Sequence, residues 1–169
     1  MDALDYIEDQ ARRNASFRLE TRELLHKRAT ALCTLLLAGG GAVAAWSLAR
    51  LESGLTPGPI ALLAVSGWLL VVGGLVVMRC LPTAEVFPPG NEPKILLAYF
   101  EKKHQGETTA EEALAATRKA ELAALQERID GYAECNAQTA QRLDFAYKVA
   151  ALTPVIGLIA WGLAAYLVG

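Results

Sequence analysis

Long apolar stretches alternate along this chain with charged stretches that have a helical pattern. Three stretches, 29–49, 53–78 and 149–169, contain no Asp, Glu, Lys, Arg or His. Each is longer than the roughly 18 uncharged residues that mark a membrane-spanning helix. Together they are too much apolar chain for the other residues to bury in a water-soluble core. The pattern predicts an all-α membrane protein with three transmembrane helices, at 29–49, 59–78 and 149–169.

The charged stretch 109–148 predicts a cytosolic stalk helix that continues directly into the third span. Thr109 followed by Glu112 is a capping box, which opens a helix. A three-four alternation of apolar positions begins at Leu122 and is typical of a coiled-coil seam. One seam position holds Leu122, Ile129, Asn136 and Leu143. The other holds Leu125, Tyr132, Thr139 and Ala146. Pro154, near the start of the third span, predicts a kink.

Residues 1–28 predict a second cytosolic helix, which is amphipathic and leads into the first span. Asn14 lies in its apolar seam 15 residues before Ala29, and Asn136 lies 13 residues before Val149. Both helices would enter the membrane from one side and run parallel, which puts the two amides at similar heights. A seam asparagine selects register when it faces another polar group. We therefore hypothesise that Asn14 pairs with Asn136, or that Asn136 pairs with its copy in a neighbouring protomer. The alternative is a solvated leading helix and two unrelated exposed asparagines.

The first span contains a run of small residues at 38–45. Small residues at four-residue spacing let helices approach closely in lipid, where no hydrophobic force drives association. Three consecutive glycines also weaken a helix, so their presence calls for a packing reason. The run predicts a helix–helix interface, within the chain or between copies, formed by Ala38, Gly40, Gly41, Ala42, Ala44 and Ala45. The alternative is the ordinary enrichment of glycine and alanine in membrane helices.

Segments beside the spans carry residues typical of the membrane–water boundary. Residues 80–108 predict a proline-rich connector followed by a short amphipathic helix at 94–104. This short helix is expected to lie in the membrane surface or to pack on the stalk. The predicted membrane-interface residues are Trp46, Tyr99, Phe100, Lys102 and Lys103.

The distribution of basic residues predicts the orientation of the spans. Six basic residues lie in 1–28, whereas only Arg50 follows the first span before the second begins. Because basic loops stay in the cytoplasm, we expect a cytoplasmic N-terminus and, after three spans, an extracytoplasmic C-terminus. Arg79, directly after the second span, agrees with this. The expected location is a bacterial-type inner (cell) membrane, with the three cysteines reduced.

Composition and motifs argue against several classes of function. The net charge of −2 provides no basic field for nucleic acid. His26 and His104 stand alone without metal-ligand spacing, and the chain has no catalytic triad or phosphate-binding loop. We therefore expect no enzyme activity, no metal and no cofactor. The spans also lack the ionisable residues on which ion-coupled transporters depend.

Two hypotheses for the function remain. The first is a non-enzymatic membrane protein that self-associates through its small-residue spans and its stalk and acts as a pore. Such a pore would be gated by dewetting or lined by Thr34, Ser47, Ser66 or Thr153. This layout resembles that of phage holins and of small membrane effectors of bacterial defence systems, without a shared motif. The second hypothesis is a membrane anchor, adaptor or immunity protein whose cytosolic helices bind a soluble partner or toxin. The expected partners are thus membrane lipid, copies of the chain and, in the second case, a cytosolic protein.

Overall fold

The computed structural model describes residues 3–52, 54–81, 93–104 and 109–168 of the chain. The described residues contain no strand and form five α-helices: α1 (Ala3–Leu51), α2 (Pro57–Cys80), α3 (Pro93–His104), α4 (Ala110–Ala151) and α5 (Thr153–Val168). The predicted proline-rich connector falls almost wholly outside the described residues.

Three helical segments in the described part of the chain are long and apolar enough to cross a membrane. They are Leu4–Leu51, Pro57–Cys80 and the nearly continuous run Ala110–Val168. Each contains all or most of one of the apolar stretches found in the sequence. The predicted all-α class with three candidate spans is therefore confirmed, and these helices have the composition of an integral membrane protein.

The described residues divide into two compact units. One, here called the charged unit, takes in residues 3–23, 93–104 and 109–137. The other, here called the apolar unit, takes in residues 24–52, 54–81 and 138–168. Helices α1 and α4 each contribute residues to both units.

Helix α1 passes from charged to apolar sequence with no interruption in its helical structure. No proline occurs between Ala3 and Leu51, so nothing removes a backbone donor along the way. The helix ends in a turn at Gly54, whose φ of 138° is accessible to glycine and rarely to other residues. Pro57 then occupies the first turn of α2, where its missing N–H costs no helical hydrogen bond.

Helix α4 starts at the predicted capping box and ends just before Pro154. The backbone N–H of Thr109 donates to Glu112 Oε2 (3.0 Å), and the Glu112 N–H donates back to Thr109 Oγ1 (3.3 Å). At the other end Leu152 interrupts the helix. Pro154 cannot donate to the carbonyl of Ala150, four residues earlier. The Thr153 hydroxyl donates to that carbonyl instead (2.6 Å), and the Ile156 N–H resumes the helix by donating to Leu152 O.

Candidate helix–helix association site

One face of α1 forms the centre of the apolar unit. Its buried positions recur at the three- and four-residue spacing of a single helix face. They pack in one apolar cluster with buried residues of α2 and α4. The cluster consists of Ala29, Leu32, Cys33, Leu36, Val72, Val76, Cys80, Leu143 and Ala146. Leu143, predicted as a seam residue of the stalk, is therefore a core residue of this unit.

Glycine allows α1 and α2 to approach closely as an antiparallel pair. A Cβ on Gly40 would lie 3.2 Å from the Cβ of Leu69, and a Cβ on Gly73 would lie 2.8 Å from Leu37 Cδ2. The buried hydroxyl of Ser66 donates to the Gly40 carbonyl oxygen (2.8 Å). A hydrogen bond between helices at this depth adds to the packing that holds membrane helices together.

The opposite face of α1 carries a continuous row of small residues, here called the small-residue face. All of its residues are exposed, and helical spacing places them on one side of the helix from one end of the span to the other. The face comprises Ala31, Thr34, Ala38, Gly41, Ala42, Ala45 and Ala49. A helix surface that meets only lipid has no reason to be free of large apolar side chains over this length. Small residues are instead the usual composition of helix–helix interfaces in membranes.

The structure divides the predicted interface residues between these two faces. Gly40 is buried and Ala44 half-buried on the side of α1 that meets α2. The other four predicted residues, Ala38, Gly41, Ala42 and Ala45, belong to the exposed small-residue face. Sequence reasoning missed Ala31, Thr34 and Ala49, because it considered only the glycine-rich block. Extending the helical spacing by two turns toward the N-terminus and by one turn toward the C-terminus would have found them.

In the charged unit, Arg118 of α4 holds two carboxylates of α1. Its Nε donates to Glu8 Oε1 and its Nη2 to Asp5 Oδ1, both at 2.7 Å. The hydrogen bond from Arg118 lowers the pKa of the Glu8 carboxyl, outweighing the opposite effect of burial. These two bonds join α4 to the N-terminal part of α1.

Asn136 makes a contact with α1 that differs from the one predicted. Its Nδ2 donates to the backbone carbonyl of Arg18 (2.9 Å), and its side chain is buried. Asn14, the predicted partner, is exposed one helical turn earlier. The polar partner of Asn136 is therefore a backbone carbonyl of the same chain and not the side-chain amide of Asn14. This also removes the reason for pairing it with its copy in another protomer.

The remaining seam residues line the side of α4 that faces α1. Ile129 and Tyr132 are buried, whereas Leu122 and Leu125 are half-buried. The guanidinium of Arg22 lies 5.9 Å from the centre of the Tyr132 ring, within the range of a cation–π contact. Asp5 contacts α4 at Arg118, whereas Arg18 and Arg22 contact it farther along both helices, at Asn136 and Tyr132. Within this unit α1 and α4 therefore run parallel, as predicted.

The predicted membrane-interface residues are largely exposed. Trp46 is half exposed, and the Arg50 guanidinium lies 5.4 Å from its ring centre. On α3, Lys103 Nζ lies 5.8 Å from the Tyr99 ring, and Phe100 stacks on His104 at a centroid distance of 5.9 Å. Lys102 is exposed. These contacts combine aromatic rings with cations, which is the side-chain chemistry found at membrane boundaries.

The hydroxyls predicted to line a pore point in different directions. Ser66 is bonded to the Gly40 carbonyl, Ser47 is buried and donates to Val43 O (2.7 Å), and Thr153 donates to Ala150 O. Thr34 alone of the four is exposed. It lies on the small-residue face, where it is available to a neighbouring helix.

Within the described ranges, no group of three or more His, Cys, Asp or Glu side chains comes together in a way that could hold a metal ion. Cys33 and Cys80 are buried, Cys135 is half-buried, and none of the three forms a disulfide. No protein-family model matches the chain, and no curated protein or solved structure matches it either.

Proposed function

We propose that the protein is a non-enzymatic, multi-pass inner-membrane protein that associates with copies of itself through the small-residue face of α1, and that the assembly acts as a pore. The observation that carries the proposal is the exposure of seven small residues along one side of the first span. In lipid, such a surface gains more from close contact with another helix than from contact with acyl chains.

We assign the seam of the stalk no part in this association. The seam of α4 faces α1 of the same chain, through Arg118 and Asn136. Association between copies is therefore assigned to the membrane span alone. Thr34 supplies a hydroxyl on the associating face, which can donate across a helix pair or line a passage between copies.

The proposed orientation has a cytoplasmic N-terminus and an extracytoplasmic C-terminus. It is supported by the excess of basic residues before the first span over the single Arg50 after it. An impermeant thiol reagent applied to intact cells tests it. A cysteine introduced at exposed Ala137 should stay unlabelled in a variant without the native cysteines, and labelling at this position would reverse the orientation.

Enlarging the small-residue face tests the association. The double variant Ala38→Leu/Ala42→Leu should migrate as a monomer in mild detergent, because leucine side chains prevent close approach of two α1 helices. The wild type should migrate as a defined oligomer. Ala64→Leu is the matched control, since it makes the same change at an exposed position of α2. A monomeric wild type, or an unchanged oligomer in the double variant, would overturn the proposal.

A membrane anchor or adaptor is the second candidate, and a separate observation favours it. On the charged unit, the aromatic side chains of Tyr6 and Phe17 are 57% and 60% exposed on one side of α1. Exposed aromatic residues are frequent anchors of protein–protein interfaces. The inward hydroxyls of Ser47 and Ser66 also leave few polar groups for a pore.

Overexpression with a membrane-potential dye separates the two candidates. A pore should depolarise the membrane, and the Ala38→Leu/Ala42→Leu variant should not. An anchor should leave the potential unchanged, and Phe17→Ala should then abolish co-purification of a soluble protein that the wild type retains.

A further inference from the structure

A groove on the apolar unit runs between α2 and α4. It is a shallow surface groove with a cavity volume of about 20 Å³. Most of its lining is apolar, and it includes Val72, Cys80 and Ala146 of the buried cluster. The lining residues are Val72, Leu75, Cys80, Phe145, Ala146 and Val149, with Arg79 and Arg142.

Two arginines meet at this groove, one from each helix. Arg142 Nη1 donates to the backbone carbonyl of Arg79 (3.0 Å) at the C-terminal end of α2. That bond uses one of the five N–H donors of the Arg142 guanidinium and holds it beside Arg79. Both side chains are exposed.

Neither arginine has a carboxylate partner among the described residues. The carboxylate of Asp144, two positions along α4, pairs with Lys148 at 2.6 Å. Residues two apart on a helix also point in different directions, so Asp144 does not face Arg142. Two arginines therefore line one groove with most of their guanidinium donors unused, next to an apolar surface.

We propose that this groove binds one anionic phospholipid, with its phosphate on Arg79 and Arg142 and an acyl chain along Leu75, Phe145 and Val149. A guanidinium binds phosphate oxygens through charge-assisted, bidentate hydrogen bonds. The apolar lining supplies the contact that an acyl chain needs and that a free phosphate ion would not use. Basic pockets between membrane helices are a recognised form of headgroup site.

The position of the groove fits this ligand. Arg79 directly follows the most apolar part of α2, and Arg142 lies seven residues before the uncharged stretch that starts at Val149. Both are thus where a span meets the headgroup layer. In the orientation proposed above this is the cytoplasmic leaflet, which carries anionic lipid. The lipid site does not depend on self-association, because its described lining comes from one chain.

Native mass spectrometry of the purified protein in mild detergent tests the site. The probes are phosphatidylglycerol and phosphatidylethanolamine with the same acyl chains. The wild type should retain one phosphatidylglycerol per chain and bind phosphatidylethanolamine about tenfold more weakly, because only the first carries a net charge. Arg79→Gln/Arg142→Gln should weaken phosphatidylglycerol binding about tenfold or more. Both arginines are exposed, and the bond from Arg142 to the Arg79 carbonyl is exposed to solvent, so this variant should fold, with a thermal denaturation profile close to that of the wild type.

Arg28→Gln is the matched control. It removes a positive charge next to Ala29, which packs in the same cluster as Cys80, but Arg28 lines a different groove with Leu143 and Tyr147. Its phosphatidylglycerol binding should stay within about twofold of the wild type. An equal loss in Arg28→Gln would overturn the site in favour of a general charge effect. Displacement of the lipid by an equal concentration of inorganic phosphate would overturn the role of the acyl groove.

Discussion

The charged unit and the apolar unit each contain part of helices α1 and α4. The interactions that join helices within the charged unit differ from those within the apolar unit. In the charged unit, the helices are joined at discrete levels by directed polar contacts, those of Arg118 and Asn136. In the apolar unit, the helices are joined by close approach at Gly40 and Gly73 and by a buried apolar cluster. Polar contacts tolerate small displacements of a long side chain, whereas close packing does not. Substitutions should therefore have their largest effects in the apolar unit.

The largest effect is expected from Gly40→Leu. The new Cβ would lie 3.2 Å from Leu69 Cβ, which is attached to the backbone and cannot move aside, so α1 and α2 must separate. We expect a loss of about 2–3 kcal/mol in the free energy of unfolding, typical of overpacking. Thermal denaturation in mild detergent measures it. Gly67→Leu on α2 is the control, since a Cβ there meets nothing within 4 Å. Equal stability of the two variants would contradict the close-packing account.

A smaller effect is expected from Asn136→Ala in the charged unit. The variant loses the hydrogen bond to the Arg18 carbonyl at a buried position. The expected loss is about 1–2 kcal/mol, the usual range for one buried hydrogen bond with a modest cavity. Asn14→Ala should have almost no effect, because Asn14 is exposed.

The same pair of variants also tests where Asn136 acts. Because its partner lies in the same chain, Asn136→Ala should leave the oligomeric state in detergent unchanged. A shift in native mass with Asn136→Ala, but not with Asn14→Ala, would show that the asparagine selects partner number after all.

The smallest effect is expected from Glu8→Gln, and it should depend on pH. Arg118 lowers the pKa of Glu8 in the folded protein, so the unfolded chain takes up a proton at a higher pH than the folded one. The contribution of Glu8 is therefore present at neutral pH and lost as pH falls through that lowered pKa. Because water screens the pair, the loss in Glu8→Gln at neutral pH should be at most about 1 kcal/mol.

Denaturation of the wild type and of Glu8→Gln across the acid range checks this sign. The difference between them should shrink toward zero as Glu8 becomes protonated, and it should also be smaller at high salt. Glu127→Gln removes an exposed carboxylate from α4 and should give no comparable difference. A difference that grows on acidification would contradict the ion pair.

Local sequence signals predicted a large part of the fold because their causes are local. Three apolar stretches, the capping box at Thr109 and Glu112, and the helix break beside Pro154 all follow from residues close together in the chain. The pairing of the two charged helices in parallel was also predicted, since both lead into spans from the same side.

Signals that depend on helix rotation were less informative. The sequence placed Asn136 on the face of α4 toward α1, but one turn of offset between the helices decides whether it meets Asn14 or Arg18. The same holds for the small residues of the first span. Helical spacing defines Gly40 with Ala44, and Ala38 with Ala42, as two rows, and it does not indicate which row meets α2.

The sequence by itself determined that this chain is helical, that three of its segments suit a membrane, and where its helices start and break, because hydrophobicity, capping and proline act within a few residues. Only the tertiary structure decided which face of α1 is covered and which is left open, which acceptor Asn136 finds, and that Arg79 and Arg142 meet beside an apolar groove. Those outcomes depend on the rotation and offset of one helix against another, which are fixed by packing among residues far apart in the chain.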